Sequence, residues 1–399
     1  MTPLLRIEEP GSGVAPPASL RAWLALGFRP LYLLGTAWAA IAVALWTFAP
    51  QWLPGTMGGL AWHAHEMLWG FVATIAVGFL MTAGANWTAI NPLPRPWLAL
   101  AVALWVTARI ALLVDHPAAF DVGALAEVAF FALAAAALGR AVIRARNTRN
   151  AGLPPLLLAL AGADAAFLWH VRAGDVAAAL GWVQAGLVAM ALVALLIARR
   201  VTPFFAMRAV PGLQIPLHQR SGQVQLAAVG VGVVAVVAGW REPAAAAMAL
   251  AGAIALWQVA SWKPAAVLAR PILWILYLGH AGVGAGLLVA AAHLAGAIGA
   301  PAAHVHVIAL LGFAVLIVGM VTRTALGHLG RALALDRSMV ASYALVVAAA
   351  VLRLAALAAT PLAPWLLKAS ALAWVAAFAL YLWRFTPWLV RPRADGRPG

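Results

Sequence analysis

The sequence predicts an all-α integral membrane protein, a bundle of twelve transmembrane helices with the N- and C-termini cytoplasmic. Three observations predict it. Of the 399 residues, 65% are hydrophobic and only 9% are charged, with a mean hydropathy of +0.96. A soluble domain carries about 25% charged residues, so this chain cannot cover a water-facing surface. The apolar residues gather in runs of roughly twenty, enough to cross a bilayer. The basic residues sit in ones and threes between these runs, concentrated in alternate connections.

Hydropathy and turn residues place helices at 28–49, 62–87, 96–114, 121–144, 153–172, 174–198, 222–240, 243–262, 271–293, 302–322, 338–359 and 363–386. Connections such as 50–61, 90–96 and 360–364 are short and rich in Pro and Gly, which punctuate helices; the longest is 199–221. Residues 21–390 therefore read as a single membrane domain, with no sizeable domain outside the bilayer. Residues 1–20, rich in Pro and Gly, read as a disordered cytoplasmic tail without the apolar core of a cleavable signal. Residues 391–399 read as a basic cytoplasmic tail.

Sidedness follows from charge. With the N-terminus inside, twenty-one of the 26 lysines and arginines fall in inner segments. Only Arg172, Arg241 and Lys368 fall outside, while Arg109 and Arg353 lie within helices. A missed or added helix near the middle would invert this pattern downstream. Trp52, Trp62, Trp87, Trp97, Trp169, Trp240, Trp262, Trp365 and Trp388 sit near helix ends, as an interfacial belt does. The net charge of +15 is thus topology, not a nucleic-acid surface. The chain has no cysteine, which excludes disulfides, thiolate zinc sites and cysteine-ligated clusters.

The ten histidines concentrate at one membrane level. His63 and His65 open the second helix at its outer end, and His304 and His306 open the tenth at the same face. His116, His170 and His293 lie at the outer boundary and read as interfacial polar residues. His280 is roughly mid-membrane, and His218 and His328 are inner. Ionisable groups at membrane depth are costly and functional by default. In each His-x-His pair the rings diverge by about 200° around the axis. One pair therefore cannot chelate one metal from one face, but offers an imidazole to each of two sites. Two such helices facing each other would ligate a haem axially and supply a ligand to a second centre alongside. Glu66, one turn from His63, is a candidate acceptor behind a ligand or a proton carrier.

Among the other intramembrane polar residues, Arg109 and Glu127 lie at similar depth and read as an ion pair between neighbouring helices. Asp164 is mid-helix with no evident partner at its depth, so a protonated carboxyl or a proton-relay role is open. Arg353 is a candidate for a haem propionate or for neutralising a nearby acid. Gly282 and Gly286 form a small-xxx-small pair that permits close helix packing.

These stretches resemble NnrS, a bacterial membrane protein family tied to the nitric oxide response and described as containing haem and copper. The likeness rests on Phe28-Arg29-Pro30, Leu33-Leu34-Gly35, Trp62-His63-Ala64-His65-Glu66-Met67, Gly70-Phe71, Gly78-Phe79-Leu80 and Asn86-Trp87-Thr88. It continues through Arg200, Thr202-Pro203-Phe204-Phe205, His280-Ala281, Gly319-Met320, Thr322-Arg323 and Gly327-His328. A more distant topological likeness is to the catalytic subunits of haem–copper oxidases and nitric oxide reductases. It implies that His63 or His65 pairs with His306 across a haem while His304 faces a second centre. In those enzymes helices six and seven supply histidines to the second metal, but 174–198 and 222–240 contain none. That site is absent or rebuilt, with His280, Glu66 or the second-helix histidines as metal candidates.

The expected cofactors are a haem of b type and copper, and the expected partners are the lipid bilayer and nitric oxide or nitrosyl species, with no nucleic acid. The expected location is the bacterial inner membrane. Twelve helices with both ends inside is also a transporter layout, yet 28–198 and 222–386 show no convincing repeat. A haem-based sensor without turnover is the other alternative.

Overall fold

The computed structural model describes residues 17–300, 302–358 and 360–397. Each of the twelve expected apolar runs forms a helix: α1 Phe28–Phe48, α2 Gly59–Thr88, α3 Arg95–Ala111, α4 Pro117–Arg144, α5 Leu153–Arg172 and α6 Val176–Ala209. They are followed by α7 Gln219–Val237, α8 Arg241–Ser261, α9 Pro271–Leu294, α10 Ala303–His328, α11 Arg337–Ala355 and α12 Ala363–Leu389. No strand occurs among the described residues. Eleven of these helices are long and apolar enough to cross a membrane. The exception, α3, has 17 residues, which at about 1.5 Å per residue falls just short of a bilayer's hydrocarbon core. The chain is a multi-pass membrane protein.

Most of the expected N-terminal tail, residues 1–16, lies outside the described residues. Ser19 is ordered: its hydroxyl caps a short helical turn at Leu20–Trp23, and its amide donates to the Val390 carbonyl at 2.9 Å. Residues 398–399 of the C-terminal tail are likewise outside the description. Arg29 of α1 donates to the carbonyls of Leu389 and Arg391 at 3.0 and 2.7 Å, which ties the start of α1 to the end of α12.

The boundary of α6 corrects the expected end at residue 198. The helix continues to Ala209 and shortens the 199–221 connection. Arg199 and Arg200 do not stop it because their side chains reach beyond the helix; Arg200 donates to the Asn150 side chain and the Arg149 carbonyl. Pro203 sits within the helix, which membrane helices tolerate when neighbours satisfy the freed carbonyl.

α2 is the central helix: 83% of its most apolar stretch is buried, against 33–67% in the ten other helices long enough to span. Its His65, Glu66, Thr74 and Thr82 are costly against lipid and are all buried among neighbouring helices. The two helices that carry a His-x-His pair, α2 and α10, both widen to π-helical turns at matching places. The stretches Glu66–Ala73 and Val307–Ala314 each begin immediately after the second histidine of the pair. α10 packs along α9, whose glycines let the two backbones approach, and α12 packs along α1 and α11.

The entry to α11 is fixed by Asp336, which accepts from the Met339 amide at 3.1 Å and the Ser338 hydroxyl at 2.6 Å, and pairs with Arg384. Burial opposes its charge, but the hydroxyl, the amide and the guanidinium outweigh that and hold the carboxyl below its ordinary 3.8. A carboxyl held low stabilises above its unfolded value and loses that contribution as pH falls through the folded one. Asp336→Ala is expected to cost about 1 kcal/mol. The loss should show as a lower melting temperature at pH 7 and vanish in acid below the folded-state value.

Candidate functional site

The two rings of the α2 His-x-His pair enter different surroundings, as their divergence requires. His65 is fully buried and faces α4 and α5. Its Nδ1 lies 2.9 Å from Glu66 Oε1, and its Nε2 lies 3.0 Å from Asp164 Oδ1 and 3.4 Å from Glu127 Oε2. Phe167 stacks on the ring at 5.2 Å. Glu66 Oε2 accepts from the Trp38 indole at 2.5 Å and from Arg109, which also donates to Glu127. The expected Arg109–Glu127 pair is therefore present. Asp164 is a correction, because it has a partner in His65. Hydropathy gives depth along a helix but not which way a side chain points, so the contact between α2 and α5 was not legible.

His63 faces the other way. It lines a cavity of about 380 Å³ together with His306 and Arg353. The ring of His63 is stacked on Trp46, with centroids 4.1 Å apart, and its Nδ1 is buried without a hydrogen-bond partner. The Nδ1 of His306 lies 2.8 Å from the Ala302 carbonyl. A carbonyl accepts only, so Nδ1 carries the proton and Nε2 keeps its lone pair. The rest of the wall is apolar and includes Val43, Met67, Leu187, Phe313 and Trp374. Of the four candidate haem ligands, the structure thus brings together His63 and His306; His65 is engaged by carboxylates.

His304 points into a second cavity of about 400 Å³. Its Nε2 donates to Gln184 Oε1 at 2.8 Å, leaving a lone pair on Nδ1, which is buried and unpartnered. The ring stacks on His293 at 5.0 Å. His293 gives its Nδ1 proton to the Ile298 carbonyl at 3.0 Å, which frees its Nε2. Met248 lines the same cavity, and Gln184 and Leu187 border both. Sequence reasoning placed His293 at the lipid interface; its position near the end of α9 gave no sign that it would turn inward. Gln184 was missed because a single polar residue in an apolar helix has no distinctive spacing.

His280, a metal candidate, lines neither cavity. Its Nε2 meets Gln258 Oε1 at 3.1 Å beside the Trp262 ring. Glu66, the other candidate, has both oxygens engaged in the His65 cluster. Elsewhere His116 caps α4, His218 lies 2.5 Å from the Ser261 hydroxyl and His328 packs on Phe28.

The cavity between α2 and α10 has the chemistry an axially ligated haem requires. It offers two imidazoles, one with its tautomer set by a backbone carbonyl, an apolar and aromatic wall, and a guanidinium for a carboxylate. The second cavity offers imidazole and thioether donors, the soft set that suits copper.

No curated protein matches the chain. The family model described as NnrS protein matches residues 22–393, nearly the whole length, and the chain belongs to the NnrS family.

Proposed function

We propose that this protein serves the response to nitric oxide and nitrosative stress, with a haem of b type held between His63 and His306 and copper in the neighbouring cavity. The bundle crosses the bacterial inner membrane twelve times, both termini are cytoplasmic, and the two cavities lie toward the periplasmic side. The observation that carries the reading is the convergence of His63 and His306 on one apolar cavity, with the Nδ1 of His306 tied to Ala302. That bond orients the ring and raises the basicity of Nε2. The stack of His63 on Trp46 fixes the opposite ring. Arg353, on the wall of the same cavity, suits a propionate.

Copper falls to His304 and His293 with Met248, rather than to His280 or Glu66. Two lone pairs are free in the former set, whereas Glu66 is committed to Trp38, His65 and Arg109. When bound, a cuprous centre would supply the affinity for nitric oxide, because a haem held by both His63 and His306 keeps no free position for it. The chain contributes an apolar enclosure in which the small uncharged gas is not displaced by water. Gln184, bordering both cavities, holds the His304 ring and couples its orientation to the wall of the first cavity.

The test is an absorption spectrum of the purified protein with metal analysis. A Soret band is expected in the wild type and in His304→Ala, and its loss in His63→Ala and His306→Ala. Copper is expected to follow the opposite pattern, lost in His304→Ala and kept in His63→Ala. A wild-type protein without a Soret band, or His63 and His306 variants that keep it, would sink the assignment.

A further inference from the structure

We infer that His65, Glu127 and Asp164 form a binding site for a divalent metal ion of the carboxylate-preferring kind, separate from both cavities. None of the three lines either cavity. One donor atom from each lies within 4.8 Å of the other two, and all three residues are buried.

Charge gives the first argument. Among the described residues, the buried carboxylates are Glu66, Glu127 and Asp164, and all three meet here. Arg109 is the one guanidinium among them. With a neutral imidazole the cluster holds three negative charges against one positive, deep in an apolar bundle. Buried charge persists only where it is compensated. One divalent cation closes the difference.

Geometry gives the second. The His65 Nε2 lies 3.0 Å from Asp164 Oδ1 and 3.4 Å from Glu127 Oε2. For metal bonds of about 2.0–2.2 Å, adjacent ligand atoms stand roughly 2.8–3.1 Å apart in an octahedral site and roughly 3.3–3.6 Å apart in a tetrahedral one, which brackets these two distances. Both ring nitrogens lie at hydrogen-bond distance from carboxylates. In the neutral ring that donates Nδ1–H to Glu66 Oε1, Nε2 would present its lone pair to a cation held by Asp164 and Glu127. Glu66 is itself held by Trp38 and Arg109. This carboxylate–histidine arrangement orients metal-bound imidazoles generally.

The unsatisfied atoms give the third. Glu127 Oε1 and Asp164 Oδ2 are buried with no hydrogen-bond partner, while both oxygens of Glu66 are used. Those on the two proposed ligands are the spare oxygens that a carboxylate binding a cation in bidentate fashion would use. An imidazolium with one protonated carboxyl would also balance the charge. The metal titration separates that state from an ion-bound one. Two carboxylates and one imidazole suit Mn2+, Fe2+ or Zn2+ better than a cuprous ion, so this site and the copper site differ in the metal they select.

The experiment uses the full chain, stripped with chelator in mild detergent and titrated with Zn2+ or Mn2+. Bound metal is counted by mass spectrometry and the haem band is recorded in parallel. Wild type is expected to take up one of these ions stoichiometrically. Asp164→Asn and Glu127→Gln should lose it, while Glu66→Gln should bind about 10- to 100-fold more weakly because a neutral amide behind Nδ1 no longer raises the basicity of the imidazole. His63→Ala should bind as the wild type does, whether or not it retains haem, which separates this site from the haem assignment. A wild type that binds neither ion, or a folded Asp164→Asn that binds as well as wild type, overturns the proposal. If Asp164→Asn does not elute as a folded species, unchanged affinity in Glu66→Gln overturns it instead.

Discussion

Replacing Arg109 with leucine is expected to cost about 3–5 kcal/mol, because it removes the compensating partner of buried charges. Arg109 is 2% exposed and donates to Glu66 and Glu127 at once, so its loss strands two carboxylates in a dry interior. Folded proteins retain only about 5–15 kcal/mol of net stability, and the variant should largely fail to reach the monodisperse state after solubilisation. The penalty belongs to the uncompensated charge, not to lost packing, and this is separable. Arg109→Leu combined with Glu127→Gln should recover part of the melting temperature lost in Arg109→Leu alone. Arg109→Lys should fall between, since an ammonium is a point charge without the planar fork that serves two acceptors. If Arg109→Leu melts where the wild type melts, the cluster is not electrostatically strained in the way described.

The second large effect is expected at Gly282. A β-carbon there would overlap the Leu311 backbone, and one at Gly286 would stand 2.8 Å from the Ile308 amide. α9 and α10 can lie this close only because neither position has a side chain. Overpacking commonly costs about 1–3 kcal/mol, and backbone cannot yield as a rotamer does, so Gly282→Leu should exceed that range or push α10 away from α9. His306 lies on α10 only two residues before Ile308. Displacing the helix therefore carries the ring away from His63. The expected readout is loss of the Soret band with every histidine still present, alongside a lower melting temperature. Gly162→Leu is the control, because a β-carbon at Gly162 meets nothing within 4 Å. A normal band in Gly282→Leu would show that the helix contact does not position the ring.

Hydropathy and charge made the helices legible. A run of apolar residues signals burial whatever its neighbours are, so the twelve runs emerge as helices. The places where reading failed share a cause. Arg199 and Arg200 looked like a helix end because charge signals the water boundary, yet their long side chains let the backbone continue. His63 and His65 looked equivalent because both sit at one depth. Their opposite fates, one in a cavity beside Trp46 and one among three carboxylates, depend on how α2 is rotated against α1, α4 and α5. That rotation is a property of the assembled bundle. The Arg109–Glu127 pair was readable because two opposite charges at similar depth have little else to meet, whereas Asp164 needed the third partner to be known first.

The widened turns that follow each histidine pair carry a last consequence. An i→i+5 turn amounts to one residue inserted into an ordinary α-helix. One residue corresponds to about 100° of rotation. The segment bearing the imidazoles is therefore out of phase with the lower part of the same helix by roughly a quarter turn. Deleting a single residue from 66–73, or from 307–314, would leave the lower part of that helix in register while swinging the rings aside. The direction in which the imidazoles project and the phase of packing are thereby set independently in each helix.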